Sequence, residues 1–133
     1  MFFLPIALVT AGAAALLNFW LGLRVSRLRI SEKILVGDGG NPRLLARMRA
    51  QLNFAEYAPL VLILIALIEL ARGTQAWLWG VALAFIVGRI LHAFGMDGWR
   101  PGRMIGIATT MLTMLGLAAY AVYLGYTGLN PLR

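Results

Sequence analysis

Apolar residues along the chain fall into four long runs separated by short polar stretches. The first extends from about Phe2 to Leu23, the second from about Leu52 to Ala71, the third from about Ala76 to Phe94 and the fourth from about Met104 to Tyr126. Each approaches the ~20 residues an α-helix needs to cross a bilayer. None alternates with the period of two that a barrel strand requires, so helices are the expected spanning element. Trp20, Trp77, Trp99, Tyr123 and Tyr126 stand near the ends of these runs, where amphipathic rings anchor a helix at the interface. The first run lacks a basic leader, and its apolar core exceeds the ~7–15 residues of a cleaved signal, so it reads as a membrane helix. The predicted fold is therefore all-α: an integral membrane four-helix bundle, up-down-up-down, forming a single domain over residues 1–133.

The connections differ in length. Roughly thirty residues separate the first two runs, and Gly37-Asp38-Gly39-Gly40-Asn41-Pro42 within them breaks any helix, with Pro42 suited to restart one. The second and third runs are joined by about Arg72 to Gln75, a tight antiparallel connection, and the third and fourth by Gly95 to Gly102. Gly12, Gly22, Gly106 and Gly116 favour close helix packing.

Composition supports this reading. The chain is 61% hydrophobic and 13% charged, against roughly 25% charged residues in soluble domains. The net charge of +7 does not indicate nucleic acid, because the cations sit in the connections. Arg24, Arg27, Arg29, Lys33, Arg43, Arg47, Arg49, Arg100 and Arg103 fall on one side and only Arg72 and Arg133 on the other, with Arg89 inside a helix. That asymmetry places the long connections in the cytoplasm and both termini outside. With no cysteine there is neither a disulfide framework nor a protein thiolate nucleophile, and one histidine with five carboxylates makes no metal cage.

Polar residues within the spans carry the chemistry. Arg49, Asn53 and Glu56 are spaced i, i+4, i+7 and share one face of the second helix. Glu56 lies about one turn inside the apolar boundary, where an unpaired carboxylate is costly and marks function by default. The structural alternative is an ion pair with Arg89 or Arg49. Pro59 is expected to kink the helix beyond it. On the third helix Arg89, His92 and Met96 follow i, i+3, i+7, with Arg89 deepest and placed to meet Glu56. A hydrogen-bonded packing role is the ordinary one for a lone histidine such as His92. Pro101 suits the first turn of the fourth helix and puts Arg103 in that turn, where a cation opposes the helix dipole and calls for an anion nearby. Arg49, Asn53, Glu56, Arg89, His92 and Arg103 thus gather toward one membrane face, with Arg27 or Arg29 able to join them. The set suits a ligand with several carboxylates and a free amine.

The segment Arg49-Ala50-Gln51-Leu52-Asn53-Phe54-Ala55-Glu56-Tyr57-Ala58-Pro59-Leu60 closely resembles the second-helix signature of the MAPEG family, the membrane-associated proteins in eicosanoid and glutathione metabolism. Gly37-Asp38-Gly39-Gly40-Asn41 and Gly88-Arg89-Ile90-Leu91-His92-Ala93-Phe94-Gly95 resemble its bacterial branch, which implies a bacterial inner membrane location. The resemblance covers essentially the whole chain. It implies a homotrimer with glutathione, as co-substrate, bound between neighbouring subunits. Arg49, Gln51, Asn53, Glu56 and Tyr57 match glutathione-contacting positions, and Arg27 and Arg29 are both counterparts of a first-helix contact. Arg103 matches the arginine that stabilises the thiolate in catalytic members. His92 and Met96 fall where the eicosanoid enzymes often carry tyrosines. The implied activity is a transferase or peroxidase acting on hydrophobic electrophiles that arrive from the lipid, with Arg103 and the amides starting the fourth helix lowering a thiol pKa from near ~8.5. A non-catalytic lipid-binding or scaffold protein of the same fold is the alternative. A proton-coupled exporter using Glu56 fits less well, given the long basic connection and no acid in the first helix.

Overall fold

The computed structural model describes residues 3–128. Phe2, where the first apolar run begins, and Arg133, one of two cations assigned to the sparse side, lie outside the described residues. The described residues form α1 (Pro5–Glu32), α2 (Pro42–Arg72), α3 (Ala76–Met96) and α4 (Arg100–Gly128), each long and apolar enough to span a bilayer.

The expected spans are present, but α1 and α2 run well past them. At ~1.5 Å per residue, the 28 residues of α1 reach about 42 Å, beyond the ~30 Å hydrocarbon layer. The thirty-residue connection expected between them is therefore mostly helix, and only residues 33–41 are non-helical. Local chemistry sets these ends. Lys33 takes a left-handed conformation (φ 56°) that closes α1, and its amide bonds back to Ile30 O. Asn41 caps α2, its Oδ1 accepting from Arg43 N at 3.0 Å and Leu44 N at 3.1 Å, with Pro42 leading the helix. α2 then continues as one α-helix through Pro59.

The core runs down the middle of the bundle, with Ile6, Leu21, Val61, Ile65 and Phe85 almost wholly buried. α2 and α3 contact three elements each, whereas α1 and α4 do not meet. The periphery is apolar: Leu16, Phe19, Leu112 and Val122 are each at least 70% exposed, as lipid-facing residues are. α3 and α4 pack most closely through glycines. A Cβ on Gly95 would strike the Arg103 backbone, and one on Gly106 would strike Gly88 O and His92. Gly22 likewise lies against Gln51, but Gly12 and Gly116 meet nothing within 4 Å, so the expectation of close packing fails for those two within one chain.

The opposite end of the bundle is tied by an acid absent from the sequence reading. Glu69, at 1% exposure, accepts from Ile6 N at 3.0 Å, Ala7 N at 2.8 Å and Thr74 Oγ1 at 2.9 Å. Leu4, at the start of α1, offers no side-chain cap. The carboxylate of α2 supplies one from across the interface, where the helix dipole also favours negative charge.

Candidate functional site

Three helices meet around a small cleft at the end of the bundle that carries the α1–α2 and α3–α4 connections. α2 contributes Arg49, Leu52, Asn53 and Glu56, α3 contributes His92 and Met96, and α4 contributes Arg103 and Ile107. The i, i+4, i+7 spacing on α2 and the i, i+4 step from His92 to Met96 bring these side chains to one cleft, with His92 in its inner wall and Arg49 and Glu56 on its exposed side. The glycine seam holds α4 against α3 and so fixes Arg103 beside the end of α3. The guanidinium-bearing Arg49 and Arg103 and the carboxylate-bearing Glu56 are exposed residues, whereas His92 is only 3% exposed. Leu52 and Ile107 give the cleft an apolar edge toward lipid.

Arg89 does not pair with Glu56, contrary to the sequence expectation. Its guanidinium is sealed among α2, α3 and α4 at 2% exposure, while Glu56 sits on the outer side of α2. Arg89 Nη2 donates to Asn53 Oδ1 at 2.6 Å and Nη1 to Thr110 Oγ1 at 3.1 Å, and His92 Nδ1 lies 3.5 Å from Nη2. Arg49 does not pair with Glu56 either; among the described residues the salt bridge is Arg24–Asp97. Glu56 thus lies in a membrane-spanning helix and forms no salt bridge among the described residues.

The remaining predicted residues lie elsewhere. Gln51 is on the other flank of α2, where it lines a groove against α1 with Asn18, Arg29 and Arg49. Arg49 and Leu52 belong to both the groove and the cleft. Arg29 is occupied by the connection, donating to Gly37 O at 2.7 Å and Ile34 O at 3.4 Å. Arg27 is exposed, and Tyr57 is half-buried outside the cleft lining. The amide support expected at the start of α4 is reduced. Pro101 has no N–H, and Gly102 N and Arg103 N both donate to Trp99 O, at 3.0 and 3.4 Å.

Two polar ties escaped the sequence reading. The Arg24–Asp97 pair links α1 to the end of α3, with Arg24 also over the Trp20 ring at 4.9 Å and Arg47 donating to Arg24 O at 3.0 Å. Arg24 stood in the sequence as one of many boundary cations. Glu69 was detectable by the rule applied to Glu56, a carboxylate inside an apolar run.

Helix lengths, lipid-facing periphery and an ionic cleft at one end define an integral membrane four-helix protein. The chain matches the MAPEG family over residues 7–123 and belongs to that family. It is 28% identical over 107 residues to the inner membrane protein YecN of Escherichia coli strain K12, an alignment covering 77% of this chain and 81% of YecN. YecN from E. coli O6:H1, strain CFT073, matches with the same identity and coverage.

Proposed function

We propose that this protein is a glutathione-binding transferase or peroxidase of the bacterial inner membrane, working as a homotrimer on hydrophobic electrophiles. The observation that carries this reading is the convergence of Arg49, Asn53, Glu56, His92, Met96 and Arg103 on one cleft. Glutathione carries two carboxylates, an ammonium and a thiol. Arg49 suits a carboxylate, Glu56 the ammonium, and Arg103 a developing thiolate. The cleft holds ≈ 140 Å³, below the ~300 Å³ at which small-molecule sites begin. One subunit therefore offers part of a site. The neighbouring groove that carries Gln51 and shares Arg49 is the surface through which a second copy completes it.

Arg103 lowers the free energy of the thiolate form, and the thiol proton leaves to water. The sulfur then forms a bond to the electrophilic carbon as the leaving group departs with its electron pair. The apolar edge at Leu52 and Ile107 admits the second reactant from the bilayer. The protein's contribution is thiolate stabilisation and placement of two poorly miscible reactants. A binding protein without thiol chemistry is the competing reading, favoured by the engaged amides at the start of α4.

Calorimetry with glutathione on detergent-purified protein, followed by conjugation assays with a generic hydrophobic electrophile, tests the proposal. Arg49→Ala or Glu56→Gln should each weaken binding by about 2–5 kcal/mol, as for charge pairs that the ligand and a second subunit bury. Unchanged affinity in folded variants removes both residues from the ligand. The excess of cations around the α1–α2 and α3–α4 connections supports a cytoplasmic cleft. A reporter fused after Arg133 should accordingly read as extracytoplasmic, and a cytoplasmic reading reverses the orientation.

A further inference from the structure

Arg89 is a guanidinium buried in a membrane bundle and, among the described residues, makes no salt bridge. Its contacts are Asn53, Thr110 and His92. An arginine has five N–H donors and no acceptor, so every group it touches must turn a lone pair toward it. Asn53 must therefore present Oδ1 to Arg89, which leaves its Nδ2 amine as the group directed away. His92 Nδ1 lies 3.5 Å from Arg89 Nη2, where an acceptor nitrogen is favoured, and in the neutral ring that puts the hydrogen on Nε2. Among the described residues His92 Nε2 has no hydrogen-bond partner, and it is not one of the sealed, unpartnered nitrogens, which are Arg24 Nη1 and Arg89 Nε. Both Asn53 and His92 line the cleft, and Arg89 does not.

We infer that Arg89 is a positioning residue that fixes Asn53 and His92 as hydrogen-bond donors toward the ligand. An amide and an imidazole can each donate or accept, so alone they would leave the cleft without a preference. With Arg89 behind them, the cleft offers the cations of Arg49 and Arg103 and the N–H groups of Asn53 and His92. Glu56 is then the charged acceptor among the lining side chains. Such a wall takes an acceptor-rich, anionic ligand with one ammonium and rejects an isosteric amide or ester that lacks the negative charge. Thr110 completes the arrangement by accepting from Arg89 and donating to Gly106 O at 2.8 Å, which turns the guanidinium toward α2 and the cleft wall. The identity of the ligand rests on the glutathione reading, but the donor assignment does not.

The chain contains a single histidine, so ring-¹⁵N labelling reports His92 without assignment. At about pH 8, above the ordinary histidine range, the ligand-free wild type should show the Nε2–H tautomer. In Arg89→Met, which keeps an unbranched apolar stem, the Nδ1–H tautomer should appear alongside it. Asn53→Asp provides a second test that does not depend on that variant folding. It gives Arg89 a carboxylate and so should raise thermal stability. It also deletes the Nδ2 donor, so glutathione affinity should fall roughly 10- to 100-fold, the loss of a hydrogen bond to a charged group. If Arg89 holds Asn53 for packing alone, with Nδ2 turned away from the ligand, affinity is retained in Asn53→Asp. An Nδ1–H ring in the wild type, or wild-type affinity in Asn53→Asp, overturns the inference. If the wild type binds no glutathione, the functional reading falls while the histidine spectrum still decides the role of Arg89.

Discussion

Arg103→Ala is expected to lower the turnover rate at neutral pH by about 10²–10³-fold, the range for removing one preorganised stabiliser of developing negative charge. Glutathione affinity should change far less, because its carboxylates and ammonium are held by Arg49 and Glu56 on α2. The helix start reinforces this asymmetry. Gly102 N and Arg103 N are both engaged with Trp99 O, so no pair of free amides can substitute for the guanidinium. A cation beside a thiol depresses its pKa, so the thiolate is populated below the free value near ~8.5 and is lost only as the pH falls through the depressed value. Without Arg103 the titration moves back toward the free thiol. The variant should therefore recover part of its rate as the pH is raised. Ultraviolet thiolate absorbance followed against pH, in the wild type and variant complexes, measures the shift. Superimposable titrations would remove Arg103 from the chemistry and leave the non-catalytic binding protein as the better description.

Glu69→Ala should have the largest effect on stability, with none on the ligand site. It removes the acceptor of Ile6 N, Ala7 N and Thr74 Oγ1 together. At roughly 1–3 kcal/mol for each buried donor left unsatisfied, the two amides amount to a loss of about 2–6 kcal/mol. Glu69→Gln keeps one carboxamide oxygen and should lose less. Unfolding of the purified protein in mixed micelles measures the difference. Glutathione calorimetry on the folded fraction should stay at the wild-type value, since Glu69 is at the other end of α2 from Arg49. Wild-type stability in Glu69→Ala would show that the start of α1 finds other acceptors.

The four spans were legible because apolar runs of membrane length admit one backbone solution. Their true ends were not, because the extensions of α1 and α2 are polar and depend on local caps: the left-handed Lys33 and the Asn41 side chain. Helical spacing placed Arg49, Asn53 and Glu56 on one face, and the Pro101 argument placed Arg103 at the start of α4, so most of the cleft lining was readable. The pairing was not. Arg89 and Glu56 are complementary in charge and both lie within the spans, but that leaves open which flank of a helix a side chain occupies. Glu56 faces outward while Arg89 faces Asn53 and Thr110. The Arg24–Asp97 tie joins residues 73 apart in the chain, and no local pattern links them.

The Glu69 contact also has a consequence for biosynthesis. The acid is made 63 residues after Ile6. At ~5–20 residues per second, α1 waits about 3–13 s for the group that satisfies its leading amides. Until α2 has nearly emerged, those amides must remain at the water–lipid boundary or find a temporary partner in the insertion machinery. The two helices therefore become a stable hairpin only when the last turns of α2 have entered the bilayer. A nascent chain stalled before Glu69 should still exchange the first amides of α1 with solvent, whereas one stalled late enough for Glu69 and Thr74 to have left the ribosome should protect them.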